Sequence, residues 1–200
     1  RPTAGFRMMR RAYIGLGSNQ GARHEALDAA VQALQELERS QFVAQSPRYQ
    51  SEPIDAPGPE YLNAVACIDT ELDPYSLLLH LLDIEMMLGR KRRGSKRNDP
   101  RSVDLDLLLL DDLVMYSTAL TLPHPRMHLR AFVLKPLQDL APTLEIPGQG
   151  TVQELMEHVA DQRIELAHTP PDGEQASAPN ADFDSDADDD ASADATPSRT

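Results

Sequence analysis

The chain of 200 residues contains one cysteine, Cys67, no tryptophan and only 4% aromatic residues. A single cysteine excludes a disulfide within the chain and a metal site built from several thiolates, so we interpret Cys67 as a small buried residue on a strand. No apolar run reaches the ~18 residues of a membrane-spanning helix, and the N-terminal "RPTAGFRMMRR" lacks the ~7–15 apolar residues at the centre of a signal peptide. We therefore expect a cytoplasmic protein without a membrane partner.

Negative charge predominates, but it is concentrated near the C-terminal end. The formal net charge is −13, and residues 169–200 contain eight Asp, one Glu and one Arg. Such a segment cannot bury enough apolar surface to offset the chain entropy that folding removes. We predict a disordered acidic tail at 169–200, which is either a solubilising extension or an acidic interaction arm. Residues 1–10 are expected to be a flexible extension and residues 11–168 one folded domain.

Hydrophobic periodicity predicts the order of strands and helices. Strands are expected at 11–17, 42–50, 61–71 and 102–110, and helices at 22–38 and 73–88. The order βαββαβ predicts an α+β fold with a ferredoxin-like core, in which both helices cover one face of an antiparallel sheet. This topology serves enzymes, metal carriers and RNA-binding modules alike, so it does not decide the function.

Two further elements are expected after the core. Residues 113–117 are predicted to pair with the preceding strand, 102–110, as an added hairpin that turns at Asp111 and Asp112. Thr151 and Glu154 form a capping-box pattern, which predicts a C-terminal helix at 152–161.

Two carboxylates, Asp104 and Asp106, stand at the head of the apolar run "DLDLLLL". Because side chains alternate along a strand, both are expected on one face, together with Leu108 and Leu110, with their Cα atoms ~6.6 Å apart. Neighbouring carboxylates repel each other unless a cation lies between them, and their oxygens are suitable ligands for Mg²⁺. The alternative is that this face of the strand is simply solvated.

A strongly basic segment comes directly before the acidic pair. Residues 90–101 contain seven Lys and Arg residues against one acid, Asp99. Guanidinium groups bind phosphate oxygens, and Mg²⁺ held by carboxylates binds the same phosphates. The two features together favour phosphoryl transfer from a nucleoside triphosphate. A solvated loop and a loop that binds a nucleic-acid backbone are the alternatives for the basic segment alone.

The glycine-rich stretch "GLGSNQG", residues 15–21, does not match a dinucleotide-binding fingerprint, and no Lys-Ser/Thr pair follows it as in a P-loop. We interpret it as a tight turn between the first strand and the first helix.

Four blocks of the chain form a distinctive set: "YIGLGSNQG" (13–21), "YQSEPIDAPGPEYLNAV" (49–65), "IEMMLGRKR" with "DPRSVDLDLLL" (84–109) and "LPHPRMHLRAFVLKPL" (122–137). In this order they resemble the 6-hydroxymethyl-7,8-dihydropterin pyrophosphokinase family of the folate pathway. The resemblance implies a ferredoxin-like core and a Mg²⁺-dependent transfer of diphosphate from ATP to the hydroxymethyl group of the pterin, with release of AMP. It also implies two Mg²⁺ ions on Asp104 and Asp106, and a monomer without a nucleic-acid partner is expected.

The resemblance also assigns roles to individual residues. The implied catalytic residues are Arg90, Arg101, Asp104 and Asp106, with the two arginines on the triphosphate. The implied pterin-binding residues are Ser51, Pro53, Ile54, Tyr61, Asn63 and Phe132, among which Tyr61 and Phe132 stack on the ring and Asn63 binds its polar edge. The implied ATP-binding residues are Glu85, Arg92, His124 and Arg130.

Two other classes of protein fit part of the pattern. An RNA-binding module of the same topology would use the basic segment, but it needs aromatic residues on its central strands, where "YLNAVACI" offers only Tyr61. A sugar-nucleotide transferase would use Asp-x-Asp for its metal, but such enzymes usually need a longer chain with a nucleotide-binding α/β domain.

Overall fold

A computed structural model describes residues 8–53, 58–90 and 103–168 of the chain. In chain order, its elements are β1 (Arg10–Ser18), α1 (Arg23–Gln35), β2 (Ser40–Gln45), β3 (Tyr49–Ser51), β4 (Tyr61–Thr70), α2 (Pro74–Arg90), β5 (Asp104–Leu110), β6 (Met115–Tyr116), β7 (Thr121–Leu122), a 3₁₀ turn (Met127–Leu129), α3 (Ala131–Leu140), β8 (Glu145–Ile146), β9 (Gly150–Thr151), α4 (Val152–His158) and β10 (Ile164–Leu166). The predicted acidic tail, 169–200, lies outside the described residues. None of the described helices combines the length and the apolar composition that crossing a bilayer requires.

Six strands form one antiparallel sheet with the longest strands, β4 and β1, near its centre. The order is β10-β3-β4-β1-β5, and β2 pairs with the later half of β4, beyond the part that pairs with β3. The predicted α+β class and antiparallel sheet are confirmed, and β1, β4, β5, α1 and α2 lie where the periodicity predicts them.

Helices pack on both faces of this sheet. Alternate residues of β1, Ile14 and Leu16, point towards α1 and α2 and join a core that includes Leu27 and Leu81. Tyr13 points the other way, into a second core that α3 and α4 complete. Burial of a large apolar side chain contributes ~1.5–3 kcal/mol, so both cores stabilise the sheet.

The two predicted helix starts in the later part of the chain are confirmed. Asp73 accepts hydrogen bonds from the backbone N–H groups of Tyr75 and Ser76 at 3.1 Å, and α2 begins at Pro74. The bonds from Ser76 lower the pKa of the Asp73 carboxyl. At α4, Thr151 and Glu154 form the capping box, although this helix ends at His158 rather than at 161.

The predicted strand 42–50 is two strands, β2 and β3, separated at Pro47. Pro47 has no N–H for a sheet ladder. Ser46 compensates, because its N–H donates to the Val65 carbonyl at 2.9 Å and its Oγ accepts the Val65 N–H at 3.0 Å. The interruption lets one edge of β4 carry two short strands.

The predicted hairpin between 102–110 and 113–117 is wrong in its pairing, because β6 pairs with β7 and β5 pairs with β1. The end of β5 is held on β1 instead: Asp111 donates its N–H to the Arg11 carbonyl at 2.7 Å, and the Arg11 N–H donates to Asp111 Oδ1 at 2.8 Å. Asp111 also has a φ of 48°. The chain therefore leaves β5 without folding back along it.

The alternation predicted for β5 holds only to Leu108. The β1–β5 register shifts between Tyr13 and Ile14, so that Leu109 pairs with Tyr13 but Leu107 with Ile14, and Leu108 is an extra, bulged residue. A bulge reverses the side-chain phase beyond it. Leu108 therefore shares the face of the acidic pair, as predicted, whereas Leu110 lies in the core under α1 and α2.

Arg48 joins α1 to the start of β3. Its guanidinium donates to the His24 carbonyl at 3.1 Å and to the Asp28 carboxylate, and its side chain is only 15% exposed. Arg48→Met is expected to lower the free energy of unfolding by ~1–2 kcal/mol, measured by urea denaturation, because it leaves these acceptors without their donor. Arg39→Met, which removes an exposed ion pair with Glu71 and an exposed bond to the Glu71 carbonyl, is the control and should cost ~0.5 kcal/mol or less. Equal losses would contradict the role of Arg48.

Candidate active site

A cavity of about 320 Å³ opens on the face of the sheet that is turned away from α1 and α2. Its lining comes from β1, the end of β3, β4, β5 and the start of α3. α3 and α4 cover this face around Tyr13, Val65 and Leu109. Farther along β1, Gly15 and Gly17 have no side chains to meet a covering layer, and the cavity lies there.

The glycine-rich stretch is therefore partly misinterpreted as a turn. Gly15 and Gly17 lie inside β1 and line the cavity, and only Gly21, with φ 58°, stands at the turn into α1. A Cβ added to Gly15 would lie 3.5 Å from the Leu108 side chain, which is ordinary contact. Glycine is thus not forced by strain here; it leaves room above the sheet. The alternation Gly-Leu-Gly within a strand was the signal available in the sequence.

Five of the six residues implied for the pterin line this cavity: Ser51, Pro53, Tyr61, Asn63 and Phe132. The sixth, Ile54, lies outside the described residues. Asn63 is 4% exposed, and its Nδ2 donates to Ser51 Oγ at 2.9 Å. The amide is thereby held in one orientation at the cavity wall, next to the backbone of Gly17.

Arg130, implied for ATP, also lines the first cavity. Its guanidinium carbon lies 5.4 Å from the centroid of the Phe132 ring, which is the distance of a cation–π contact. Arg130 and Phe132 are thus brought together, although the resemblance assigns them to different substrates. Glu52 lines the same cavity and was not singled out from the sequence.

A second cavity, of about 530 Å³, lies between α2, β5 and residues 117–125. Glu85 and His124, both implied for ATP, line it. Asp104 and Asp106 line both cavities, so the acidic pair lies at their boundary. The other implied residues, Arg92, Arg101 and the side chain of Arg90, lie outside the described part of the chain.

The strand that carries the acidic pair is fixed by Glu85. The carboxylate of Glu85 is 5% exposed, and its Oε1 accepts the backbone N–H of Leu105 at 2.7 Å. Leu105 is itself buried in the core, whereas Asp104 and Asp106 on either side of it are exposed. The two carboxylates thus extend from one face of a strand that Glu85 of α2 holds in place through the Leu105 N–H.

His124 is held in its neutral form. Burial lowers its pKa, the nearby charge of Asp106 opposes this, and Arg130 and Arg126 lower the pKa further. Its Nδ1 accepts the backbone N–H of Arg126 at 3.3 Å, which leaves the proton on Nε2. His124 therefore offers a hydrogen-bond donor in the second cavity.

The donor set at the boundary fits a hard divalent cation. Asp104 and Asp106 supply carboxylate oxygens from one face of one strand, and such oxygens suit Mg²⁺. Among the residues that the structure describes, no group of three or more His, Cys, Asp or Glu side chains is placed to hold an ion. An ion on this pair would take its remaining ligands from water and from a substrate, which is how Mg²⁺ is commonly bound beside phosphates.

Comparison with known proteins identifies the family of the chain. The family model of 7,8-dihydro-6-hydroxymethylpterin-pyrophosphokinase (HPPK) matches residues 13–142. A 2-amino-4-hydroxy-6-hydroxymethyldihydropteridine pyrophosphokinase from Pseudomonas aeruginosa is 42% identical over 150 residues, which are 74% of this chain and 91% of that protein. The protein of the same name from Haemophilus influenzae is 40% identical over 154 residues, 76% of this chain and 95% of that protein.

Among solved structures, a triple mutant of Plasmodium falciparum HPPK-DHPS aligns with a TM-score of 0.65 over 79% of this chain. The sequence identity is 13%, and the chain spans 46% of the length of that protein, so this likeness concerns the fold alone. The resemblance found in the sequence is confirmed by the family match and by the two bacterial relatives: the chain belongs to the 7,8-dihydro-6-hydroxymethylpterin-pyrophosphokinase family.

Proposed function

We propose that this chain transfers a diphosphate group from ATP to the hydroxymethyl group of 6-hydroxymethyl-7,8-dihydropterin, in a Mg²⁺-dependent reaction of folate biosynthesis. The hydroxyl oxygen forms a bond to the β-phosphorus, the bond from that phosphorus to the α–β bridging oxygen breaks, AMP leaves, and the hydroxyl proton is lost to solvent. The observation that carries the proposal is that two cavities meet at Asp104 and Asp106. Five of the residues implied for the pterin line the first cavity, and Glu85 and His124, implied for ATP, line the second.

The first cavity suits the pterin. Its volume, about 320 Å³, lies at the small end of ligand pockets, as a bicyclic ring requires. Tyr61 and Phe132 supply aromatic faces, and stacking of this kind contributes ~1–3 kcal/mol per ring in nucleic-acid binders. Asn63, buried and held by Ser51, supplies a fixed amide for the polar edge of the ring. Pro53 and Ile54 would complete the wall.

The second cavity suits the nucleotide. Glu85 and His124 line it, and Arg92 and Arg130 are proposed as further contacts to ATP. Binding ATP there and the pterin in the first cavity would bring the hydroxyl oxygen and the β-phosphorus to the boundary, which supplies proximity.

The acidic pair would hold two Mg²⁺ ions, which neutralise charge on the triphosphate and on the departing oxygen. Arg90 and Arg101 are proposed to contact the triphosphate as charge develops on it, because their fixed positive charge acts most strongly where negative charge increases.

Several broader features belong to the same proposal. Residues 11–168 would form the catalytic domain as a monomer in the cytoplasm, with an acidic tail at 169–200 that the reaction does not need. The ferredoxin-like arrangement is supported by the order of the four principal strands, in which β1 lies between β4 and β5.

The test is a measurement of AMP release from ATP with 6-hydroxymethyl-7,8-dihydropterin and Mg²⁺. We expect AMP and pterin diphosphate in equal amounts, and loss of both when Mg²⁺ is chelated. The matched control substrate is 6-methyl-7,8-dihydropterin, which lacks the attacking hydroxyl and should bind without giving AMP. AMP release that does not depend on the pterin, or tight binding of an RNA oligomer without any binding of the pterin, would contradict the proposal.

A further inference from the structure

The start of α3 is capped by a residue from a distant part of the chain. The first N–H groups of a helix have no partner within it, and Arg130, at the N-cap position, supplies no side-chain cap. The side chain of Gln162 provides the cap instead. Its Oε1 accepts the Ala131 N–H at 2.8 Å, and its Nε2 donates to the Leu129 carbonyl at 2.8 Å. The backbone on both sides of Arg130 is therefore fixed by one amide.

The residues that follow Gln162 hold the opposite wall of the same cavity. β10 pairs with β3, with Ile164 opposite Ser51, and the Ala167 N–H extends the ladder to the Arg48 carbonyl at 2.8 Å. Arg163 donates to Glu52 Oε1 at 2.9 Å. Residues 162–167, here called the C-terminal clasp, thus touch the α3 wall at one end and the β3 wall along the rest.

We infer that the C-terminal clasp is a positioning element for the pterin, and that Gln162 is its principal residue. The clasp sets the separation between Phe132 on α3 and Ser51 on β3, and hence the width of the pterin cavity. The inference rests on the proposed function. The family model matches residues 13–142, and the clasp lies after that matched part.

The contacts of the clasp differ in their expected importance. The ion pair of Arg163 with Glu52 joins side chains that are 61% and 58% exposed, and such pairs contribute little. Gln162 is half-buried, and it accepts from the Ala131 N–H, for which α3 itself offers no partner, and donates to the carbonyl of Leu129 at the end of the 3₁₀ turn. Loss of a hydrogen bond costs most when it leaves such a group unpaired.

The effect of losing Gln162 should be local. The far end of α3 is held independently by Asp139, which accepts hydrogen bonds from the Tyr49 hydroxyl and, at 2.8 Å, from Lys135 Nζ. Burial and the bond to Asp139 raise the pKa of Tyr49 to about 12, so the hydroxyl keeps its proton and donates throughout the neutral range. Without Gln162, only the first turn of α3, with Phe132, gains freedom.

The effect should also differ between the two substrates. The second cavity is lined by α2, β5 and residues 117–125, and neither β3 nor α3 contributes to it. Loss of Gln162 is therefore expected to change binding of the pterin far more than that of ATP, because Arg130 is the one proposed ATP contact beside the clasp, whereas Glu85 and His124 line the second cavity. A purely structural role would change both KM values or neither.

The test uses Gln162→Met in the full chain, because methionine keeps the length of the side chain and removes both hydrogen bonds. We expect the KM for 6-hydroxymethyl-7,8-dihydropterin to rise about fivefold or more, and the KM for ATP to stay within about twofold. Amide hydrogen exchange at Ala131 and Phe132 should become faster. Gln162→Glu keeps the acceptor for the Ala131 N–H, so its pterin KM should lie between that of the parent and that of Gln162→Met.

The control is Gln153→Met, at an exposed position of α4 outside both cavities, which should leave both KM values unchanged. If Gln162→Met and Gln162→Glu both leave the pterin KM unchanged, or raise the two KM values equally, the inference is wrong while the proposed function stands. If the parent protein releases no AMP in response to the pterin, the proposed function fails, and this inference with it.

Discussion

Replacement of Asp106 by alanine is expected to lower kcat/KM for pyrophosphoryl transfer about a thousandfold or more. Asp106 lies at the boundary of the two cavities, and with Asp104 it supplies the carboxylate oxygens proposed to bind Mg²⁺. Its side chain is exposed, so the folded protein should lose ~0.5 kcal/mol of stability at most. The Leu105 N–H bond to Glu85 stays in place and keeps the strand in position. Steady-state release of AMP at saturating Mg²⁺ and thermal unfolding measure the two quantities, and the same loss of turnover is expected for Asp104→Ala.

The matched control for this prediction is Asp112→Ala. Asp112 is an exposed aspartate in the turn that follows β5, and it lines neither cavity. Its removal changes the net charge by the same amount as Asp106→Ala but should leave turnover within about twofold of the parent. If Asp106→Ala keeps near-parental release of AMP, the proposed metal role of the acidic pair is wrong. An equal loss in Asp112→Ala would point to net charge rather than to the site.

The sequence is most informative where one physical signal dominates. The apolar period of α2 and the Asp73-Pro74 start define that helix. The alternation of side chains along β5 correctly brings Asp104 and Asp106 to one face. These features depend on neighbours in the chain, which a local pattern records.

What the sequence did not predict depends on contacts between distant segments. The bulge at Leu108, which turns Leu110 into the other core, results from the register between β1 and β5. Asp111 at the end of β5 is held on β1 by Arg11, 100 positions away, and β6 pairs with β7 rather than with β5. Gln162 lies in no motif, and its amide matters only because the start of α3 lies beside it. Hydrogen bonds between residues some 30 to 100 positions apart leave no periodic trace in a single sequence.

The first cavity exists because the helices on the second face of the sheet do not cover that face completely. α3 and α4 cover the second face of the sheet around Tyr13 and Val65, but not the part of β1 that carries Gly15 and Gly17. Polar groups that would be costly inside a filled core, such as the amide of Asn63, are therefore available at a cavity wall. The fold thus brings the Asn63 amide, on β4, and the exposed acidic pair, on β5, to the lining of one cavity on either side of β1.

That amide gives the second large effect. Asn63→Ala is expected to raise the KM for 6-hydroxymethyl-7,8-dihydropterin on the order of a hundredfold, because the polar edge of the ring would be desolvated without a partner. The KM for ATP should stay within about twofold, since Asn63 does not line the second cavity.

Ser51→Ala tests how much the fixed orientation of the Asn63 amide contributes. This variant removes the Ser51 Oγ that accepts from Asn63 Nδ2 at 2.9 Å, but it keeps the amide that would contact the ring. It should therefore raise the pterin KM only about fivefold. Kinetics with each substrate varied in turn measure all four values. A pterin KM that Asn63→Ala leaves unchanged, or an equal rise for ATP, would show that the amide does not bind the ring.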